Sequence, residues 1–145
     1  MARLFPLLIL SFLISFNITQ AQSAEETQAI KQAALDYIEG WYTADAARME
    51  KSLHPELSKR IVFTDKESGR SKLDTMGAMT LVQYTRRKSA ENLDEQQADV
   101  TILDVFQNTA CVKVVANTWI DYLHIAKFNG EWKIINVLWE VKDKK

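Results

Sequence analysis

The chain has 145 residues, enough for one domain with a hydrophobic core of its own, and 47 % of them are apolar. Its 18 basic and 19 acidic residues leave a formal charge of −1 with no long basic stripe, which argues against nucleic acid as a partner. Cys111 is the single cysteine, so no internal disulfide is available and the core alone must hold the fold.

Residues 1–21 read as a secretory signal peptide: Arg3 supplies a positive charge, Leu4 to Phe16 is almost continuously apolar, and Thr19-Gln20-Ala21 offers small residues where a signal peptidase cuts. The apolar run falls short of the roughly 20 residues that span a bilayer core as a helix, so a permanent membrane anchor is not expected. The expected location is secreted or periplasmic. Residues 22–145 then form a single domain, uninterrupted by linker, repeat or low-complexity segment.

From Glu25 onward, Ile30, Ala33, Ala34, Tyr37, Ile38 and Trp41 recur at spacings of three and four, predicting an amphipathic helix that Gly40 weakens near its end. Thr43-Ala44-Asp45 caps a second, shorter helix carrying Ala46, Met49 and Leu53 on one face and stopped by Pro55. A short strand ending at Ile61-Val62-Phe63 follows, then a polar loop from Asp65 to Lys72, and a third helix over about Thr75 to Lys88 with Gly77 inside it.

From Ala98 the apolar period becomes two. Asp99 to Phe106 alternates, Asn108-Thr109 makes a turn, and Ala110 to Ile125 reads as one long strand with a bulge at Ala116-Asn117-Thr118. Two further β-rich runs flank Asn129-Gly130, a pair that tolerates the positive φ of a tight hairpin turn. Helices first and an antiparallel meander afterwards predict an α+β layer fold.

Leu53-His54-Pro55-Glu56-Leu57, then Asp121-Tyr122-Leu123-His124-Ile125 followed by Asn129-Gly130-Glu131-Trp132-Lys133-Ile134, resemble the putative lumazine-binding family of the nuclear-transport-factor-2-like superfamily. The resemblance covers nearly the whole mature chain. It implies a nuclear-transport-factor-2-like cone, with N-terminal helices packed on a curved antiparallel sheet, a small-molecule pocket between the first helix and the concave sheet face, and often a homodimer through the sheet. The superfamily holds enzymes and binding modules alike, so fold does not decide function.

Strand alternation puts Trp119, Asp121, Leu123 and Ile125 on one face and Ile120, Tyr122, His124 and Ala126 on the other, leaving open which face lines the cone. A carboxylate in an apolar strand needs a partner, a raised pKa or water. Asp121 is therefore either a ligand anchor or general base, or one half of an ion pair with Lys59, Arg60 or Arg86. His54 either touches the last carbonyls of the short helix or borders the cone mouth within reach of Asp121. Trp41, Tyr84 and Trp119 are candidate walls for a small aromatic or heterocyclic ligand, whereas Trp132 and Phe128 read as core, Cys111 as a small buried hydrophobe and His124 as cross-strand packing. The candidate ligand-binding residues are thus Trp41, His54, Tyr84, Trp119 and Asp121. No metal-binding spacing, nucleophile elbow, phosphate loop or dinucleotide fingerprint occurs, and neither metal nor cofactor is expected.

Three functions stay open. One is an exported small-molecule-binding or accessory domain; another is a small acid–base enzyme, an isomerase or dehydratase, using Asp121 with His54 or Tyr84; the third is a structural dimer or protein-binding module. A cone interior with two or more convergent titratable groups favours the enzyme, a mostly apolar cavity with one or two polar groups favours binding, and a filled cone favours the structural role.

Overall fold

The first helix, α1 (Phe5–Tyr42), packs through the three-and-four pattern that predicted it: Ile30, Ala33, Ala34, Tyr37 and Ile38 are all buried. The computed structural model describes residues 5–142, with side chains from residue 24. The expected signal peptide and its cleavage site lie outside the residues with described side chains. Among the described residues no helix is long and apolar enough to cross a membrane.

Gly40 has a packing reason. A Cβ there would stand 3.0 Å from the backbone nitrogen of Met49, so glycine lets α2 (Ala46–Ser52) lie directly against α1. Asp45 caps α2 by accepting a hydrogen bond from the Arg48 amide at 2.9 Å. Across this contact Asp36 accepts from Arg48 Nε at 2.9 Å and Gln32 Nε2 at 2.8 Å. Burial pushes the Asp36 carboxyl up, but its hydrogen bonds with Arg48 and Gln32 and the Lys51 charge outweigh that and hold it below its ordinary value.

The chain then differs from the sequence expectation in three places. Strand β1 (Leu53–Thr64) begins at once after α2 and carries Pro55 within it, near an irregularity in its pairing between Leu53 and Ser58. Residues expected as loop and helix form β2 (Ser71–Gly77), so Gly77 stands as the N-cap of α3 (Ala78–Arg87) instead of weakening its interior. The pairing of β2 with β1 supplies hydrogen bonds that its mostly exposed side chains, read alone, do not announce. The long strand after Ala110 is two strands: β4 (Thr109–Val115) turns at Ala116 to Thr118 and returns as β5 (Trp119–Phe128). The small and polar residues expected as a bulge are the turn itself.

The last hairpin forms as predicted. Asn129 and Gly130 take φ values of 51° and 87° between β5 and β6 (Glu131–Val141). With β3 (Asp99–Phe106) the six strands form one curved, unclosed sheet in the order β2-β1-β6-β5-β4-β3, antiparallel throughout except where β1 runs parallel to β6. The helices pack on its concave side, and the core between them includes Ile38, Met49, Val82, Val112, Val114, Leu123, Ile134 and Val137. This is the α+β architecture expected.

Two contacts pin α1 to the far end of the sheet: Glu26 accepts from Trp132 Nε1 at 2.7 Å and pairs with Lys127. Trp132 is buried as expected. Phe128, expected in the core, is 39 % exposed.

Candidate functional site

The alternation of β5 fixes which face lines the cone. Asp121, Leu123 and Ile125 are buried under the helices, whereas Tyr122 and His124 point away. The inward alternation of β1 is equally informative, because Leu57, Lys59 and Ile61 share the buried side. A lysine and an aspartate therefore meet inside an apolar core.

Lys59 Nζ donates to Asp121 Oδ1 at 2.6 Å and to the Tyr37 hydroxyl at 2.6 Å. The second carboxylate oxygen of Asp121 accepts from Trp119 Nε1 at 2.7 Å. Asp121 is fully buried and Lys59 nearly so, and each ion compensates the other. Burial pushes the Lys59 ammonium below its ordinary pKa, an effect that the Asp121 charge and hydrogen bond oppose. Burial first, and then the Asp121 charge and hydrogen bond, hold the Tyr37 hydroxyl well above its own. Tyr37 is thus a neutral phenol across the physiological range.

This polar group is set in the wall of a cavity of about 240 Å³, lined by Tyr37, Ile38, Trp41, Met49, Lys59 and Trp119 together with Met76, Leu81, Tyr84 and Trp139. The Lys59 ammonium lies 4.7 Å from the centre of the Trp139 ring and 5.4 Å from that of Tyr37, both distances at which an aromatic face attracts a cation. No carboxylate, amide or imidazole stands among the lining residues. The cavity is an aromatic slot with one ammonium in its wall.

Of the candidate residues, Trp41, Tyr84 and Trp119 stand on this wall. Asp121 lies behind it, holding Lys59 and Trp119 in place; of the three ion-pair partners weighed for it, Lys59 is the one present. His54 corrects the expectation: as the second residue of β1 it stacks on Phe128 with ring centres 4.4 Å apart and accepts from the Glu56 amide at 3.2 Å, and it is not among the residues that line the cavity. Lys59, Tyr37 and Trp139 complete the wall. The Leu-Ser-Lys-Arg-Ile stretch carried the signal for Lys59, since period two places it between Leu57 and Ile61.

On the opposite, open face, Cys111 pairs with His124 across β4 and β5, and His124 Nδ1 lies 3.3 Å from Asn136 Nδ2. Cys111 is half-buried there, not core. Among the described residues no group of three or more histidine, cysteine, aspartate or glutamate side chains is placed to hold a metal ion.

Comparison with known proteins places this architecture. A crystal structure of a nuclear-transport-factor-2-like protein of unknown function from Shewanella baltica matches with a TM-score of 0.68 at 16 % identity, covering 83 % of this chain and 97 % of that one. A ketosteroid isomerase-like protein from Erwinia carotovora matches with a TM-score of 0.54 at 12 % identity over 83 % and 98 % of the two chains. The association domain of C. elegans CaMKII matches with a TM-score of 0.51 at 14 % identity over 83 % and 96 %. At such identities the likeness shows the fold alone. No curated protein matches the sequence. The family described as "Putative lumazine-binding" matches residues 25–140, most of the chain and all of the elements that build the cavity from Tyr37 to Trp139. The chain belongs to the putative lumazine-binding family of nuclear-transport-factor-2-like fold.

Proposed function

We propose that the protein is an exported, non-catalytic domain that binds a small molecule in the cavity between α1 and the concave face of the sheet. The observation that carries this reading is the cavity's make-up: aromatic and aliphatic walls with one ammonium whose charge is balanced from behind by Asp121. Ligand sites are mostly apolar concavities with a few polar groups that fix orientation. The family's description points to a small ring compound as well.

The acid–base enzyme weighed above would use Asp121 with His54 or Tyr84; of the titratable groups on the cavity wall, Lys59 and Tyr37 are hydrogen-bonded to each other, and Tyr84 has no carboxylate or imidazole among the lining residues to exchange a proton with. Asp121 commits its oxygens to Lys59 and Trp119, and His54 is stacked on Phe128 outside the cavity. The likeness to a ketosteroid isomerase-like protein supplies the fold alone. Binding is the better reading.

The test is a titration with 1-tetralone, an uncharged two-ring probe. Because Trp41, Trp119 and Trp139 all border the cavity, bound probe should quench tryptophan fluorescence and raise the melting temperature. Met76→Trp, which fills the cavity from β2, should abolish both effects. Unchanged fluorescence and melting temperature at millimolar 1-tetralone, and equally with anionic and cationic two-ring probes of its size, would overturn the proposal.

Export belongs to the same proposal and rests on the signal-like residues 1–21. Protein recovered from the periplasm or medium of its own host should begin near Gln22. A cytoplasmic protein still beginning at Met1 would refute export.

We further propose that the open face of the sheet meets a second copy of the chain. Tyr122 and Leu138, paired across β5 and β6, are 46 % and 49 % exposed on a face that, among the described residues, no helix covers.

A further inference from the structure

The chemistry of the cavity wall narrows the class of ligand, an inference that rests on the binding reading above. An ammonium carries three N–H donors. On Lys59 two are committed, to Asp121 and to the Tyr37 hydroxyl, and among the described residues no other oxygen or nitrogen accepts the third. The ammonium sits over the Trp139 ring, inside a cavity that its own side chain helps to line. The Trp139 and Tyr37 rings attract its charge but offer no oxygen or nitrogen, so a bound molecule that supplies such an acceptor adds a hydrogen bond that the protein itself does not make.

The charge of that molecule follows from Asp121. With its carboxylate 2.6 Å behind the ammonium, the pair is neutral as a unit. An anionic ligand would approach Lys59 but also face the buried carboxylate across a poorly polarisable site, and it would lose its own hydration on entering. A cationic ligand would meet the ammonium with no carboxylate among the lining residues to receive it. An uncharged ligand avoids both costs.

Shape and size follow from the walls. Trp41, Trp119, Trp139 and Tyr84 offer flat aromatic surfaces, which favour a planar ring by stacking or edge contacts. A dry apolar cavity of about 150 Å³ accommodates benzene, whereas about 240 Å³ is available here. Drug-sized ligands occupy pockets from roughly 300 Å³ upward. The space suits one or two fused rings.

We infer that the cavity selects an uncharged, planar molecule of one or two rings that presents a hydrogen-bond acceptor, such as a ring carbonyl, to the free N–H of Lys59. A compound rich in N–H donors fits poorly, because the lining residues offer no carboxylate, amide or imidazole to accept them. Asp121 is a positioning residue in this arrangement: it aims and neutralises Lys59 without touching the ligand.

Calorimetric titration of the mature protein with four probes of similar size tests this: 1-tetralone with its carbonyl, tetralin without it, 1-naphthoate as the anion and 1-naphthylmethylammonium as the cation. Tetralone should bind at least tenfold more tightly than tetralin, as expected of a hydrogen bond from a charged donor, and both charged probes more weakly than tetralone. The double variant Lys59→Met/Asp121→Asn, which removes both charges and keeps an amide oxygen for Trp119 Nε1, should lose the preference for tetralone over tetralin. Equal affinity for tetralone and tetralin, or tightest binding by either charged probe, overturns this inference and leaves the binding reading standing. Failure of all four probes to bind removes the binding reading and this inference with it.

Discussion

Asp121→Asn should lower the melting temperature by roughly 10 °C, since breaking a buried ion pair from one side costs about 3–5 kcal/mol and each kcal/mol moves a domain of this size by about 3 °C. The substitution preserves side-chain size, so packing is not the cause. It leaves the Lys59 ammonium without its counter-charge in a site where it is nearly buried. Burial already lowers the pKa of Lys59 in the wild type, and removing Asp121 removes the charge that opposes this. The folded-state pKa in the variant then lies further below the unfolded value, so between the two the unfolded chain binds more protons and stability rises with pH. As pH is raised from 6 to 9 the variant should therefore gain more stability than the wild type. Lys59→Met/Asp121→Asn should recover part of the lost stability, because it leaves no lone buried charge and keeps an amide oxygen for Trp119 Nε1, while the Tyr37 hydroxyl loses its Lys59 donor. Thermal unfolding followed by circular dichroism across that pH range reads all three outcomes. A wild-type melting temperature in Asp121→Asn would show that the pair contributes nothing.

The second large effect concerns assembly. Tyr122→Arg combined with Leu138→Arg should convert a dimer of the mature chain into a monomer at micromolar concentration, read by sedimentation equilibrium. Both side chains lie on the uncovered face, and their strand neighbours there already include Lys113 opposite Tyr122 and Arg60 opposite Leu138. Two more arginines would gather four like charges on a surface that must be desolvated on association. The cavity lies on the other side of the sheet, so the variant should keep its affinity for 1-tetralone. A monomeric wild type whose stability does not change on dilution would refute the second copy on this face.

The parts legible in the sequence were those where one local rule acts alone. Helical spacing found the buried face of α1, the Asn129-Gly130 pair found the last hairpin, and period two found the β-structure from Asp99 onward but ran β4 and β5 together as one strand. What local rules misplaced was decided by pairing with distant residues. The exposed segment Ser71–Gly77 is a strand because β1 offers it a ladder, and Pro55 is tolerated in β1 near its pairing irregularity with β6. At the site, Asp121 was conspicuous as a carboxylate in an apolar strand, but its role depends on Lys59, sixty-two residues away, and no spacing rule connects the two. His54 misled because the sequence cannot show that the far end of β5 brings Phe128 onto its ring.

The central claim, that the cavity holds an uncharged small molecule, is tested most directly by native mass spectrometry of the protein purified from its own host, alongside Met76→Trp prepared in the same way. The account predicts an added mass on the wild type, released on denaturation as an uncharged ring compound and missing from the variant. Wild-type protein carrying no added mass, or an added mass retained equally by Met76→Trp, would contradict it.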